Sequence, residues 1–259
     1  MGLPLPTSLS PTKAAAFQEC PFAFRRSVID RVPTPPTPPL ALGSITHSAL
    51  ERFYQLPAED RTPAALEAAC HEAWHQHERG GELAEFLTGL DDDARRRLHQ
   101  RVISLARAVL VVEEPSRVHA IATELRLEAR LEEVLIRGVI DRLDYLHDGD
   151  LVVVDYKTGR APSTSYQDSR LGGVLTYALL LAETLGRAPR AVRLLYLADG
   201  CVIERTPSSR ELNGVARRLA ALWAAIERAC EREDFPPRPS RLCASCPHRE
   251  ACPAMGAAA

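Results

Sequence analysis

Residues 151–159 read LVVVDYKTG. Four apolar residues lead into Asp155, Tyr156 and Lys157, and Thr158–Gly159 breaks the run, which is the pattern of a short buried strand ending in a turn. Side chains alternate along a strand, so Val153, Asp155 and Lys157 share a face. A carboxylate and an ammonium then point the same way at the end of a hydrophobic strand. Burial there is costly unless they serve each other or a third partner such as a metal ion. Of the 32 basic residues, only Lys13 and Lys157 are lysine. In a chain that uses arginine almost everywhere, a lysine beside Asp155 points to a site that needs a compact ammonium rather than a planar guanidinium. A strand-end salt bridge is the competing reading.

The segments before this strand supply partners. Residues 124–131, ELRLEARL, alternate strictly and predict a strand. Residues 134–145 predict a second, joined to the first as a hairpin through Glu132–Glu133, and residues 147–150, HDGD, predict the turn into the third. Asp141 lies in the second strand with Val139 and Leu143 on its face, and antiparallel pairing brings it near Asp155. Two converging carboxylates repel unless a cation sits between them, and hard oxygen ligands suit Mg2+ or Mn2+. Glu124 is a candidate third acid. His47, on a helix predicted over 43–56, completes the set if that helix covers the sheet edge; otherwise a lone helical histidine serves packing or faces solvent.

The first part of the chain reads as helix: residues 12–19, a resumption over 22–28 after Cys20–Pro21, then 62–79 and 91–112. Residues 33–39, PTPPTPP, predict a stiff connector. After the third strand come a helix over 172–185, strands over 191–197 and 201–205 around a type I′ turn at Asp199–Gly200, and a long amphipathic helix over 208–233. The order predicts an α/β fold, a mixed β-sheet core flanked by helices. It divides into a mainly helical part (1–116) carrying Cys20 and His47, a core (117–234) and a cysteine-rich tail (235–259), integrated as one domain.

A net charge of −2 announces no global attraction to nucleic acid, so such a role needs local arginine clusters. Arg25 and Arg26 beside Cys20 form one; Arg95, Arg96, Arg97 and Arg101 form another, and Arg217 and Arg218 a third. No apolar run is long enough for a bilayer and no signal peptide opens the chain, so the expected setting is cytoplasmic, without membrane partners. Seven cysteines do not suit a disulfide framework. Cys70, Cys201 and Cys230 read as packing residues. Cys243, Cys246 and Cys252 form C-x2-C-x5-C in a proline-flanked tail. With His248 they make a Cys3His zinc knuckle; with Cys20 they supply the four thiolates of a [4Fe–4S] cluster. Spacing alone leans to zinc.

Three motifs together, Gly43-x-x-x-His47, Gly138-Val139-Ile140-Asp141-Arg142 and Asp155-Tyr156-Lys157-Thr158-Gly159, resemble the RecB-like branch of the PD-(D/E)XK nuclease superfamily, in the right order and over essentially the whole chain. The resemblance implies a restriction-endonuclease-like fold and a metal-dependent deoxyribonuclease, an exonuclease acting on single strands or DNA ends in repair and recombination. It implies one or two Mg2+ or Mn2+ ions held by His47, Asp141, Asp155 and the Tyr156 carbonyl, with Glu124 at an upstream acidic position, and Lys157 positioning or polarising the attacking water. Asp141, Asp155 and Lys157 are thus the catalytic candidates. Tyr177 matches the tyrosine of the family's Q-x-x-x-Y helix, but Gly173 stands where the glutamine belongs and Gln167 lies too early. Tyr177, Arg142, Arg25 and Arg26 are candidate substrate contacts. The cysteine pattern resembles nuclease subunits of the AddB type and CRISPR-associated RecB-like exonucleases. That reverses the metal preference toward a structural [4Fe–4S] cluster on Cys20, Cys243, Cys246 and Cys252. The chain carries no helicase motif, so an unwinding or repair partner is expected to be a separate protein.

Overall fold

A computed structural model describes residues 2–146, 148–163 and 167–255, and the side chains of residues 167–170 lie outside the description. Helices α1 (Pro11–Glu19), α2 (Pro21–Phe24), α3 (Pro38–Gln55), α4 (Pro63–Arg79), α5 (Ala84–Thr88), α6 (Asp92–Ala106) and α7 (Val109–Val112) come first. Ser10, Thr37, Thr62 and Asp91 cap α1, α3, α4 and α6, each side chain accepting from an amide three residues on. Strands β1 (Ala120–Leu131), β2 (Val134–Tyr145) and β3 (Leu151–Lys157) follow, then α8 (Gln167–Leu185), β4 (Ala191–Tyr196), β5 (Cys201–Arg205) and α9 (Ser209–Arg232).

The strands form one sheet in the order β1-β2-β3-β4-β5. Only β3 and β4 run parallel, and α8 makes the crossover that a parallel pair requires. Helices cover both faces. On one, Ile136, Ile140 and Val153 pack with Val174 and Leu181 of α8 and Leu219 and Ile226 of α9. On the other, Val152, Val154 and Tyr156 pack with Ile45 and Phe53 of α3, Trp74 of α4 and Leu105 of α6. Burial on both faces explains why β3 is an unbroken valine run rather than an alternating strand.

Several expectations shift. Helix α3 begins at Pro38, inside the stretch expected to be a connector, because Pro38 and Pro39 occupy first-turn positions where no amide donor is needed. The helix expected over 91–112 divides into α6 and α7. The β4–β5 connection is a four-residue loop from Tyr196↔Cys201 with the Asp199 amide donating to Tyr196 O, and Gly200 (φ +60°) is its one left-handed residue, so it is not a two-residue type I′ turn. His147, in the turn before β3, lies outside the described residues. Ile140 and Leu143, three positions apart, both join the α8–α9 core, so the alternation of β2 slips once between them.

Candidate active site

The β2–β3 ladder runs from Tyr145↔Leu151 to Arg142↔Val154, and the next register position brings Asp141 opposite Asp155. Here Asp141 Oδ2 accepts a hydrogen bond from the Tyr156 amide at 2.7 Å, so a side chain serves the backbone where the ladder ends. On the other side of β2, the pairs Thr123↔Arg142 and Leu125↔Ile140 bracket Glu124 opposite Asp141. Glu124 is left-handed, with φ +47°. For a residue with a Cβ that costs on the order of 1–3 kcal/mol and persists only where the surroundings impose it, typically at functional sites. From α3, His47 places Nδ1 3.4 Å from Asp141 Oδ1.

His47, Glu124 and Asp141 thus offer ligand atoms all within 4.8 Å of one another, the one such group of three among the described residues. They line a cavity of about 650 Å³ with Gly43, Ser44, Arg126, Val139 and Tyr177. Asp155 stands outside that group. It is 4% exposed, and its Oδ2 lies 2.5 Å from Lys157 Nζ, an ion pair without hydrogen-bond alignment.

The electrostatics show an excess of acid. Burial, then the Asp141 charge, pushes the Asp155 carboxyl up to about 6 despite the pull of Lys157. Burial also raises Glu124, with Asp141 and Glu51 adding to it. Burial opposes the charged forms of His47 and Lys157, yet both pKa values are raised, because Asp141 outweighs it for His47 and Asp155 for Lys157. Lys157 is therefore firmly an ammonium. Carboxylates that converge closely enough for the Asp141 charge to raise both Glu124 and Asp155, with one imidazole among them, fit a divalent cation with hard oxygen ligands.

Other expected residues fall differently. The Tyr156 amide holds Asp141, and its ring is buried between Tyr54 and His47. Arg142 is not a substrate contact. It is fully buried, bonded through two nitrogens each to Asp144 (2.8 and 2.9 Å) and Glu113 (2.7 and 2.9 Å), and donates to the Tyr156 hydroxyl at 2.9 Å under the Tyr54 ring. Its place next to Asp141 in the strand turns it into the core on the α3 side. Tyr177 lies at the site, and its hydroxyl is raised by burial and by Asp155, Asp141 and Glu124. Gly138 is what allows this, since a Cβ there would come 2.8 Å from the Tyr177 ring. Gly173 is exposed with open space around it, so the position expected to hold glutamine reaches nothing, and the Gln167 side chain lies outside the described residues. Arg25 and Arg26 pair with Asp30 and line neither this cavity nor the next. On α6, Arg95 pairs with Glu78 and Arg96 with Asp93. Arg126, which lines the cavity, was not among the expected residues; its position two after Glu124 in an alternating strand was the available signal.

The four tail-associated cysteines converge. Cys20, Cys243, Cys246 and Cys252 line one enclosed space with Phe22, Pro237 and Met255. The Arg238 amide donates to Cys20 Sγ at 3.4 Å and the Ser240 amide to Cys243 Sγ at 3.3 Å. No three of these sulfurs come within 4.8 Å, wider than the ~3.8 Å edge of a tetrahedral zinc–thiolate site. His248 does not line that space, and its Nε2 is 2.8 Å from Ser27 Oγ.

A family-level comparison matches residues 8–253 to the PD-(D/E)XK nuclease superfamily. The Gene 69 protein of Mycobacterium phage D29 is 44% identical over 70 residues, a match that spans 27% of this chain and 23% of that protein. A solved structure from Eubacterium rectale, described as a "putative exonuclease", superposes with a TM-score of 0.51 at 10% identity, covering 93% of this chain and 88% of that one. Among the described residues no helix is long and apolar enough to cross a membrane.

Proposed function

The chain belongs to the PD-(D/E)XK nuclease superfamily, and on that premise we propose that it is a metal-dependent deoxyribonuclease of the RecB-like branch, an exonuclease of single strands or DNA ends that works in cytoplasmic repair or recombination. The observation that carries the reading is the grouping of His47, Glu124 and Asp141 within 4.8 Å, beside the Asp155–Lys157 pair. In this reading His47, Asp141 and Glu124 would hold Mg2+ or Mn2+, with Asp155 and the Tyr156 carbonyl as further ligands. The cation supplies Lewis-acid polarisation of the phosphodiester.

The chain's own residues do the rest. Asp141 is aimed by the Tyr156 amide and cannot swing away without leaving a backbone donor unsatisfied. Lys157, held as an ammonium by Asp155, donates to the attacking water and offsets the negative charge that grows on the phosphoryl oxygens. Tyr177, braced on Gly138, closes one wall of the cavity. The four cysteines hold a structural [4Fe–4S] cluster of the AddB type that ties residue 20 to the tail, with the tail, core and helical part acting as one unit and a separate helicase or repair protein as partner. The reading is tested with labelled single-stranded DNA in Mg2+ or Mn2+: wild type degrades it and EDTA stops the reaction, whereas Asp155→Ala and Lys157→Ala do not degrade it. Equal degradation by all three proteins contradicts the assigned site. Binding without cleavage by wild type favours a catalytically silent DNA-binding module, the reading that the empty space at Gly173 supports.

A further inference from the structure

A second cavity, of about 670 Å³, adjoins the first and shares Arg126, Val139 and Tyr177 with it. It extends over Gly138 toward Thr12. Arg126 therefore borders both spaces, on the same strand as Glu124. It is exposed, its side chain makes no hydrogen bond or ion pair among the described residues, and its charge acts on Glu124. Its neighbour in the second cavity, Arg137, is already committed to Glu128 at 2.9 Å. The first cavity is acidic, with Glu51, Glu124 and Asp141 in its lining, and Arg126 is the one guanidinium that lines it among the described residues.

We propose that Arg126 and the second cavity form a subsite for the phosphate adjacent to the scissile one, so that a single strand lies across β1 and β2 from the His47–Glu124–Asp141 group over Tyr177 toward Thr12. The proposal rests on the nuclease reading for the scissile end only. A guanidinium with all its donors open suits a phosphodiester, to which it presents two parallel N–H groups. The one aromatic ring that borders both cavities among the described residues is Tyr177, a partner for one base. Arg126 is a positioning residue, contributing to how the strand is held and not to bond cleavage.

The test separates the two readings. Binding of a labelled oligothymidylate is followed by anisotropy in Ca2+ over a salt series, and hydrolysis of the oligonucleotide and of bis(p-nitrophenyl) phosphate is followed in Mn2+. Wild type is compared with Arg126→Ala and with Arg130→Ala, an exposed residue of the same strand that lines neither cavity. Arg126→Ala is expected to bind about tenfold more weakly, with a salt slope shallower by about 1. Its KM for the oligonucleotide rises by about the same factor, a larger effect than on hydrolysis of the small diester, which needs no second phosphate. Arg130→Ala behaves as wild type. If Arg126→Ala keeps the wild-type slope and KM, or loses the small diester equally, the subsite is wrong. If wild type hydrolyses neither substrate but the binding difference persists, the subsite stands and the nuclease reading falls.

Discussion

Asp141 Oδ2 lies 2.7 Å from the amide nitrogen of Tyr156, so a carboxylate on β2 takes the place of a backbone acceptor at the point where β3 leaves its neighbour. That bond fixes one oxygen of Asp141 and leaves the other, Oδ1, turned toward His47. The same residue therefore closes the sheet and opens the site. Asp141→Ala is expected to lower divalent-dependent hydrolysis by more than about a hundredfold and to cost on the order of 1–3 kcal/mol of stability, since the amide loses its acceptor. Thermal melts beside single-strand degradation assays check both halves.

Asp155 sets a pH dependence. Its carboxyl is raised to about 6 by burial and Asp141. The folded protein thus binds this proton more tightly than the unfolded chain, whose carboxyl titrates near its ordinary value. Below that ordinary value both states are protonated. Between about 4 and 6 stability from this group falls as pH rises, and above about 6 the full cost of the buried charge is felt. Metal-free Asp155→Asn is therefore expected to melt higher than wild type at pH 8, by roughly 2–4 °C for each kcal/mol relieved, with the difference shrinking toward pH 4. Melts in EDTA across that range, with no gain at pH 8, contradict the burial argument.

Arg142 separates packing from substrate contact. Removing its side chain leaves Glu113 and Asp144 buried without their partner, a loss of about 3–5 kcal/mol. Arg142→Leu is expected to unfold at markedly lower urea concentration, whereas exposed Arg126→Ala stays within about 0.5 kcal/mol of wild type. A normally stable Arg142→Leu with a raised KM places this residue at the substrate instead.

Gly138 makes a third contrast. A methyl group there meets the Tyr177 ring and Leu180, both at 2.8 Å. Gly138→Ala is expected to cost about 1–3 kcal/mol through overpacking and to lower the rate by moving Tyr177. Gly173→Ala, in open space, is expected to leave the rate unchanged.

The cysteine site predicts iron. Protein purified without oxygen is expected to be brown, with about four irons per chain, and Cys20→Ser is expected to lose colour as fully as Cys246→Ser although 226 positions separate them. Colourless protein with stoichiometric zinc contradicts this.

Much of this was written in local pattern. The valine run ending in Asp155 and Lys157 announced a buried strand with a charged end, and the turn after Asp141 set the register that brings the two acids opposite each other. Four things were not legible. The left-handed backbone of Glu124 comes from where β1 and β2 are forced to fit, not from its own residue type. Arg142 looked like any arginine beside an acid; only tertiary packing shows Glu113, Asp144 and Tyr54 closing around it. Arg126 was hidden for the opposite reason, since alternating Glu and Arg along 124–130 also describes an ordinary solvated strand edge. His248 fell within ligand spacing of the cysteines, but the chain turns it to Ser27.

The account stands or falls on whether His47, Glu124 and Asp141 hold a divalent ion. Titration of Mn2+ into the protein, followed by the electron paramagnetic resonance signal of the free ion, tests this without any nucleic acid. Wild type is expected to bind Mn2+ stoichiometrically, and Asp141→Asn and His47→Ala to bind it at least about tenfold more weakly. Equal Mn2+ affinity in all three contradicts the assignment.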